Sequence, residues 1–285
     1  MVGEGVNEQT RQLYRDGFCV FPNMFPEALI ARLRAVTARM LEAVPGEERD
    51  RMRYQGSSIS LRYQDPVFAE LIGWPGSLQA LSQLGFEHPK YWTGYILSKR
   101  PQGPALYWHQ DWIFWDDPLS SKADPPQLFL MIYLVDTNET NGCLRVIPGT
   151  HRRRIPLHDT LAGAHGVEAQ QADETSDMFA TLPGEVNVTV NAGDLVMGDA
   201  RVLHAAHGNR SGEERTCITL WYHPFFERFP DAIQQNLVSC VDHVGVPEDS
   251  APPDLAERLR DLKPHFEGKV EERDWERMPN EHLPA

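Results

Sequence analysis

Apolar residues recur along this chain with two different periods, and the change of period divides it. Up to about residue 88 the spacing is mostly helical. Residues 7–16 predict a short helix running into a strand, GFCVFPN. In FPEALIARLRAVTARMLEAV, Leu29, Leu33, Val36 and Met40 share one helical face, and Pro26 suits a first helical position. GEERDRMRYQGSS is polar and predicts a loop, and DPVFAELIGWPGSLQALSQLG predicts one or two short helices broken at Pro75–Gly76. From about residue 89 the segments become short and rich in β-branched and aromatic residues: YWTGYILSKR, ALYWHQDWIFW, LFLMIYLVD, GCLRVIPGTH, NVTVNAGDLVMGD, RVLHAAHGN and RTCITLWYHP. Gly, Pro, Asn and Asp punctuate them, which predicts strands of a barrel or sandwich. Residues 155–185 form a polar insert and predict a mobile loop. Helical spacing returns after 226, in FPDAIQQNLVSCVDHV and DLAERLRDLK. With no repeat and no linker, the expected organisation is a single domain, 1–285: a helical N-terminal part (1–88), a β-core (about 89–225) and a helical C-terminal part (226–285).

Composition narrows the class of partner. With 41% hydrophobic residues among 285, the chain has enough apolar material for a sizeable core. A net charge of −14 repels nucleic acid and anionic membrane, so neither is an expected partner. Acid concentrates near the C-terminus, in EDSAPPDLAERLRDLK and EGKVEERDWERMPNEH, and predicts a solvated helical surface. Cys19, Cys143, Cys217 and Cys240 lie far apart without metal-binding spacing, and read as reduced packing residues of a cytoplasmic protein. No apolar run is long enough to span a bilayer, and no secretory signal opens the chain. The three N-x-[ST] sequons, at Asn138, Asn187 and Asn209, therefore read as chance.

The candidate chemistry begins in YWHQDWIFW. On an extended strand, residues i and i+2 point to one face, so His109 and Asp111 project together. A lone His-x-Asp recurs by chance. A distant second histidine would complete a facial triad with open positions, the arrangement of non-haem Fe(II) oxygenases. Two candidates follow, His204 and His207. Val202 and His204 share a strand phase, whereas His207 abuts a turn at Gly208–Asn209, which favours His204. Arg215 opens the next apolar strand, and an arginine inside a barrel needs an anion. The co-substrate 2-oxoglutarate chelates iron through its 2-oxo acid and leaves a distal carboxylate for such a residue. Gln127, at the start of QLFLMIYLVD, is a further candidate donor to that co-substrate.

His-Gln-Asp, then TNGCLRVIPGTHR, then GDLVMGDARVLHAAHGNRSGEERTCIT resembles the phytanoyl-CoA dioxygenase family. The resemblance runs from about residue 10 to 225. Its marks are Gly142, Cys143, Leu144, Pro148, Gly149, Thr150 and His151, and the spacing of His204, Asn209 and Arg215, which also favours His204. It implies a double-stranded β-helix (jelly roll, cupin-like) with flanking helices. It implies Fe(II), 2-oxoglutarate and dioxygen as cofactor and co-substrates, ascorbate as a reductant in vitro, and release of succinate and CO2. The carboxylate of Asp111 speaks against halogenation, because related halogenases carry a small residue there to admit chloride. Similar enzymes often place an aromatic residue against the co-substrate six positions after the first histidine, here Trp115. Trp112, Phe114 and Trp221 are candidates for a substrate pocket. Trp112 and Phe114 reach it only if the strand ends or bulges after His109. The expected reaction is hydroxylation of a small molecule, an intermediate of secondary metabolism. The alternatives are an acyl-CoA or amino-acid hydroxylase, or a cupin-like metalloenzyme that does not use 2-oxoglutarate.

Overall fold

The computed structural model describes residues 7–47, 57–61, 65–239, 251–269, 273–279 and 283. Cys240 and most of GEERDRMRYQGSS lie outside them. Among the described residues, ten strands form two antiparallel sheets. The larger has the order β1 (Phe18–Phe21), β8 (Leu195–Asp199), β5 (Leu128–Tyr133), β10 (Arg215–His223), β3 (Lys90–Lys99) and β2 (Ser57–Ser60). The smaller has the order β4 (Leu106–His109), β9 (His204–Ala206), β6 (Leu144–Val146) and β7 (Val186–Val188).

Period-two alternation sorts the large sheet's side chains into two layers. Leu128, Leu130 and Ile132 of β5 and Ile218, Leu220 and Tyr222 of β10 join one apolar cluster. Helices α1 (Glu8–Asp16), α2 (Glu27–Ala43), α3 (Pro66–Ile72), α4 (Pro75–Gln83) and α7 (Pro253–Leu262) cover that face. Leu29, Ile30, Leu33 and Val36 supply the buried stripe of α2. The alternate residues, Phe129, Met131, Tyr133 and Cys217, meet Leu144, Val146 and Val188 of the small sheet in a second cluster. The site lies on this inner side. The two-layer antiparallel architecture is the expected jelly roll with flanking helices.

Several local expectations change. Pro26 caps α2 from outside rather than beginning it. NVTVNAGDLVMGD is two strands, β7 and β8, because the Asp194 carboxylate accepts from the Asn191 and Asn23 amides and holds a turn between them. The 155–185 insert carries helix α5 (Val167–Gln171) and buries Leu157, Leu161, Ala169 and Met178 against Tyr107, Trp108 and Leu203. The C-terminal part is only partly helical: after α6 (Asp231–Ser239) and α7, residues 273–279 run without helix beside residues 114–117. Backbone and side chains fix them there. The Trp115 amide donates to the Glu276 carbonyl at 3.0 Å, and Arg273 pairs with Asp116 and Asp117, each at 2.8 Å.

The turn between β8 and β9 is held by a fully buried ion pair. Arg201 meets the Asp199 carboxylate through Nε (2.9 Å) and Nη2 (2.6 Å), and donates to the carbonyls of Ser120, Lys122 and Asp124. Removing one partner strands a buried charge. Arg201→Met is expected to cost about 3–5 kcal/mol in a urea melt, and a change under 1 kcal/mol would refute this role. A second expectation concerns acid. Burial pushes His158 and His223 down to about 4, so both stay neutral in the fold while the unfolded chain protonates them near its ordinary value of 6.5. The unfolded state then binds more protons between pH 6.5 and 4, and stability falls as pH drops through that window. Urea midpoints should decline from pH 7 to 5, less steeply in His223→Leu; equal slopes would show that His223 contributes nothing.

Candidate metal and co-substrate site

A cavity of about 360 Å³ lies between the sheets, with His109, Leu144 and His204 on one wall and Phe129, Arg215 and Trp221 on the other. His109 ends β4 and pairs directly with His204 of β9, which brings their rings to 4.1 Å. Asp111 lies beyond the end of β4. It reaches the same place because its amide and that of Trp112 both donate to the Ala200 carbonyl, at 2.8 and 3.1 Å. His109 Nε2 is 3.6 Å from Asp111 Oδ1, and His204 Nε2 is 3.7 Å from Oδ2. These separations are too long for hydrogen bonds and suit ligand atoms converging on a shared point.

The protonation states fit such a point. Nδ1 of His109 faces the Tyr107 carbonyl at 3.0 Å, and Nδ1 of His204 faces the Val202 carbonyl at 3.1 Å. Each carbonyl selects the Nδ1–H tautomer and leaves Nε2 with its lone pair inward. Burial, together with the neighbouring His204 and His165, holds the His109 imidazole well below its usual range, so it stays neutral. Burial alone would raise the Asp111 carboxyl; His204, His165 and His109 outweigh that and keep it ionised. Two neutral imidazoles and one carboxylate form a donor set suited to Fe(II). Trp221 Nε1 donates to Asp111 Oδ2 at 2.9 Å and orients the carboxylate. Phe129 stacks 5.0 Å from the His204 ring. Gly198, its partner across the β5–β8 pair, makes room for it, since a Cβ there would overlap the Phe129 ring.

His165 is a fourth group at this point, and the sequence offered no sign of it because it lies in a segment without periodicity. Its Nε2 is 3.8 Å from Asp111 Oδ1, and its ligand atoms share a 4.8 Å cluster with those of His109 and Asp111. His165 comes from the insert, with a left-handed backbone (φ 59) and Nδ1 2.9 Å from the Tyr107 hydroxyl. His204, by contrast, is locked by strand register and its backbone carbonyl. We therefore take His204 as the third member of the set. His207 lies away from it, 2.8 Å from Asn187 Oδ1.

The buried end of the cavity is cationic. Arg215 and Lys99 are register partners across β10 and β3, and both are buried. Burial, then the Arg215 charge, pushes the Lys99 ammonium well below its usual range. Arg215 donates to Cys217 Sγ at 3.1 Å and lies over the Tyr133 ring. Among the described residues no carboxylate lies within ion-pair distance of it, and its Nε has no partner. The motif residues shape this end. Gly142 has φ +98, where a Cβ would press on the His207 carbonyl. Asn209 donates to the carbonyls of Lys99 and Glu213 and fixes the turn that leads to Arg215.

The remaining candidates lie off the cavity wall. β4 stops at His109; beyond it Asp111 and Ile113 line the cavity, whereas Trp112, Phe114 and Trp115 do not. Trp112, Phe114 and Trp115 pack against Phe226, Phe229 and Ile233, and Trp112 Nε1 donates to Ser120 Oγ. Gln127 is fully buried one step before β5, with both amide atoms unpartnered. On the exposed side, Trp92, Tyr95, Trp275 and Arg277 line the cavity. The last two come from the acidic tail that composition assigned to solvent; an isolated tryptophan in so polar a stretch was the available signal.

Known proteins resemble this chain at low identity. Over 231 residues the chain is 26% identical to an ectoine dioxygenase of Bordetella bronchiseptica, covering 75% of this chain and 74% of that protein. It is 26% identical to an L-proline trans-4-hydroxylase of Streptomyces griseoviridis, covering 73% and 82%. The fold matches HygX of Streptomyces hygroscopicus, solved with nickel and 2-oxoglutarate bound, at a TM-score of 0.58 and 21% identity over 77% of this chain and 87% of that one. It also matches SnoK, an alpha-ketoglutarate-dependent carbocyclase of nogalamycin biosynthesis, at a TM-score of 0.56 and 21% identity over 77% and 85%. The family profile of phytanoyl-CoA dioxygenase (PhyH) matches residues 13–217, a span that contains His109, Asp111, His204 and Arg215, and the protein belongs to that family.

Proposed function

We propose that this protein is an Fe(II)- and 2-oxoglutarate-dependent dioxygenase that hydroxylates a small molecule, an intermediate of secondary metabolism, in the cytoplasm. His109, Asp111 and His204 hold the iron, and Arg215 binds the distal carboxylate of 2-oxoglutarate. The observation that carries this reading is the buried Arg215 without an anion in the same cavity as the three converging ligand atoms. A buried cation without a counter-ion is costly, and a carboxylate offers it two parallel hydrogen bonds. A cupin-like enzyme that does not use 2-oxoglutarate has no need of that arginine.

Bound Fe(II) with 2-oxoglutarate and dioxygen supplies the oxidant, with succinate and CO2 as co-products. The chain's own residues supply position and shelter. Trp221 holds one oxygen of Asp111, and the Tyr107 and Val202 carbonyls hold the histidine tautomers. Phe129, Met131, Leu144 and Tyr133 line the wall and exclude water from the reacting centre. The relatives' substrates, ectoine and proline, are small molecules, which supports the substrate size. The buried free thiols of Cys19, Cys143 and Cys217 support a reducing compartment.

Purified protein given Fe(II), ascorbate and 2-oxoglutarate is expected to bind one iron per chain and release succinate slowly without a prime substrate. His109→Ala, Asp111→Ala and His204→Ala should each abolish both. Trp221→Phe should weaken iron binding about tenfold by freeing the carboxylate. Full iron affinity in His204→Ala, with loss in His165→Ala, would transfer the third position to His165. Arg215→Ala is expected to raise the dissociation constant for 2-oxoglutarate roughly 30-fold, the loss of a charge-assisted pair worth about 2 kcal/mol. An unchanged constant would remove Arg215 from co-substrate binding.

A further inference from the structure

The exposed side of the cavity holds a second arginine for which the reading above has no use. Arg277 lines the cavity and is partly buried. Among the described residues it makes no hydrogen bond and no ion pair; its guanidinium lies 4.8 Å over the Trp275 ring. Asp111, Tyr107 and Tyr95 act on its charge, and among the described residues Asp111, which lines the same cavity, is the carboxylate that does so. Once a metal takes up the Asp111 charge, no other described carboxylate balances Arg277 in the cavity. Its position is built, not accidental. The Phe114–Glu276 bridge, the Arg273 pairs with Asp116 and Asp117, and the Trp275–Asn236 hydrogen bond (2.9 Å) fix the segment on both sides of Trp275. Trp275 lies edge-on to Trp92, 6.4 Å between centroids, and Tyr95 lies edge-on to Trp221 at 5.9 Å. These rings form flat apolar walls beside the guanidinium.

We propose that Arg277 is the specificity-determining anchor for the prime substrate, and that this substrate is a small ring-bearing carboxylic acid. Its carboxylate takes the guanidinium fork of Arg277, and its ring lies among Trp92, Tyr95 and Trp275. The cavity is thus polarised by two arginines with separate tasks: Arg215, buried, for the co-substrate and Arg277, at the rim, for the substrate. This assignment rests on the oxygenase reading, because it requires the Asp111 charge to be taken up by a metal.

The test is calorimetric titration of Zn(II)-loaded protein saturated with 2-oxoglutarate, a form that binds without turnover. The probes are phenylacetate and indole-3-acetate, each against its neutral amide. Wild-type protein is expected to bind each acid at least about tenfold more tightly than its amide. Arg277→Gln should bring each pair to within about twofold, and Arg277→Lys should keep part of the preference. Arg11→Gln, an exposed change on α1, should keep all of it. A purely structural role for Arg277 would weaken acid and amide alike and leave their ratio unchanged. Equal affinities in the wild type, no binding of either acid, or a preference that survives Arg277→Gln overturns the proposal and leaves the oxygenase reading intact. Failure of Zn(II) to support 2-oxoglutarate binding in the wild type sinks that reading, and the anchor falls with it.

Discussion

The buried pair between Arg201 and Asp199 governs the site from outside it. Neither residue lines the cavity, yet the turn they hold supplies three consecutive carbonyls to the segment that carries Asp111 and to His204. Ala200 accepts from the Asp111 and Trp112 amides, Arg201 from the Gln110 side chain, and Val202 from the His204 imidazole. His109 then follows through its pairing with His204. Desolvating two charges costs several kcal/mol per ion, and the cost is offset here by the bidentate contact and three further carbonyl acceptors. The return is positional: the same pair ties the 120–124 loop to the turn, so elements 77 to 81 residues apart meet at one fixed point.

Much of the fold was legible because period-two alternation is a local property. Leu128, Leu130 and Ile132 against Phe129, Met131 and Tyr133 declare two faces without reference to the rest of the chain. The metal set was legible for a related reason: His109, Asp111 and His204 carry chemistry in their residue types. What alternation cannot reveal is where a strand stops. The reading carried β4 past His109, and the stop at that residue sends Trp112, Phe114 and Trp115 into the packing of Phe226 and Phe229. Asp111 keeps its place through the Ala200 carbonyl, a tertiary contact that strand phase alone does not encode. Residues 273–279, with Trp275 as their one local hint, were assigned to solvent for the converse reason. Their composition is that of a solvated surface, and only pairing with residues 114–117 brings Trp275 and Arg277 over the cavity.

The motif residues divide into two kinds when placed in space. His109, Asp111, His204 and Arg215 present reactive atoms to the cavity. Gly142 and Asn209 present none: one admits a left-handed turn against the His207 carbonyl, and the other ties the end of β3 to the turn before Arg215. Thr150 belongs with them, since its hydroxyl accepts from the amide of Leu203, one residue before the His204 strand, and donates to the Ile147 carbonyl. A sequence pattern records both kinds alike, so the chemistry has to be separated from its scaffolding by asking which atoms face the cavity.

Gly198 shows how little separates the two. The space left by its missing side chain is filled by the Phe129 ring, and that ring is the surface against which His204 rests. Positions 129 and 198 therefore form one unit of volume shared between neighbouring strands. Across natural relatives or in a designed library, a larger residue at 198 is compatible with this wall only if 129 shrinks, so the pair should vary in concert. Redesign of the cavity from the Phe129 side must treat the two positions as a single choice.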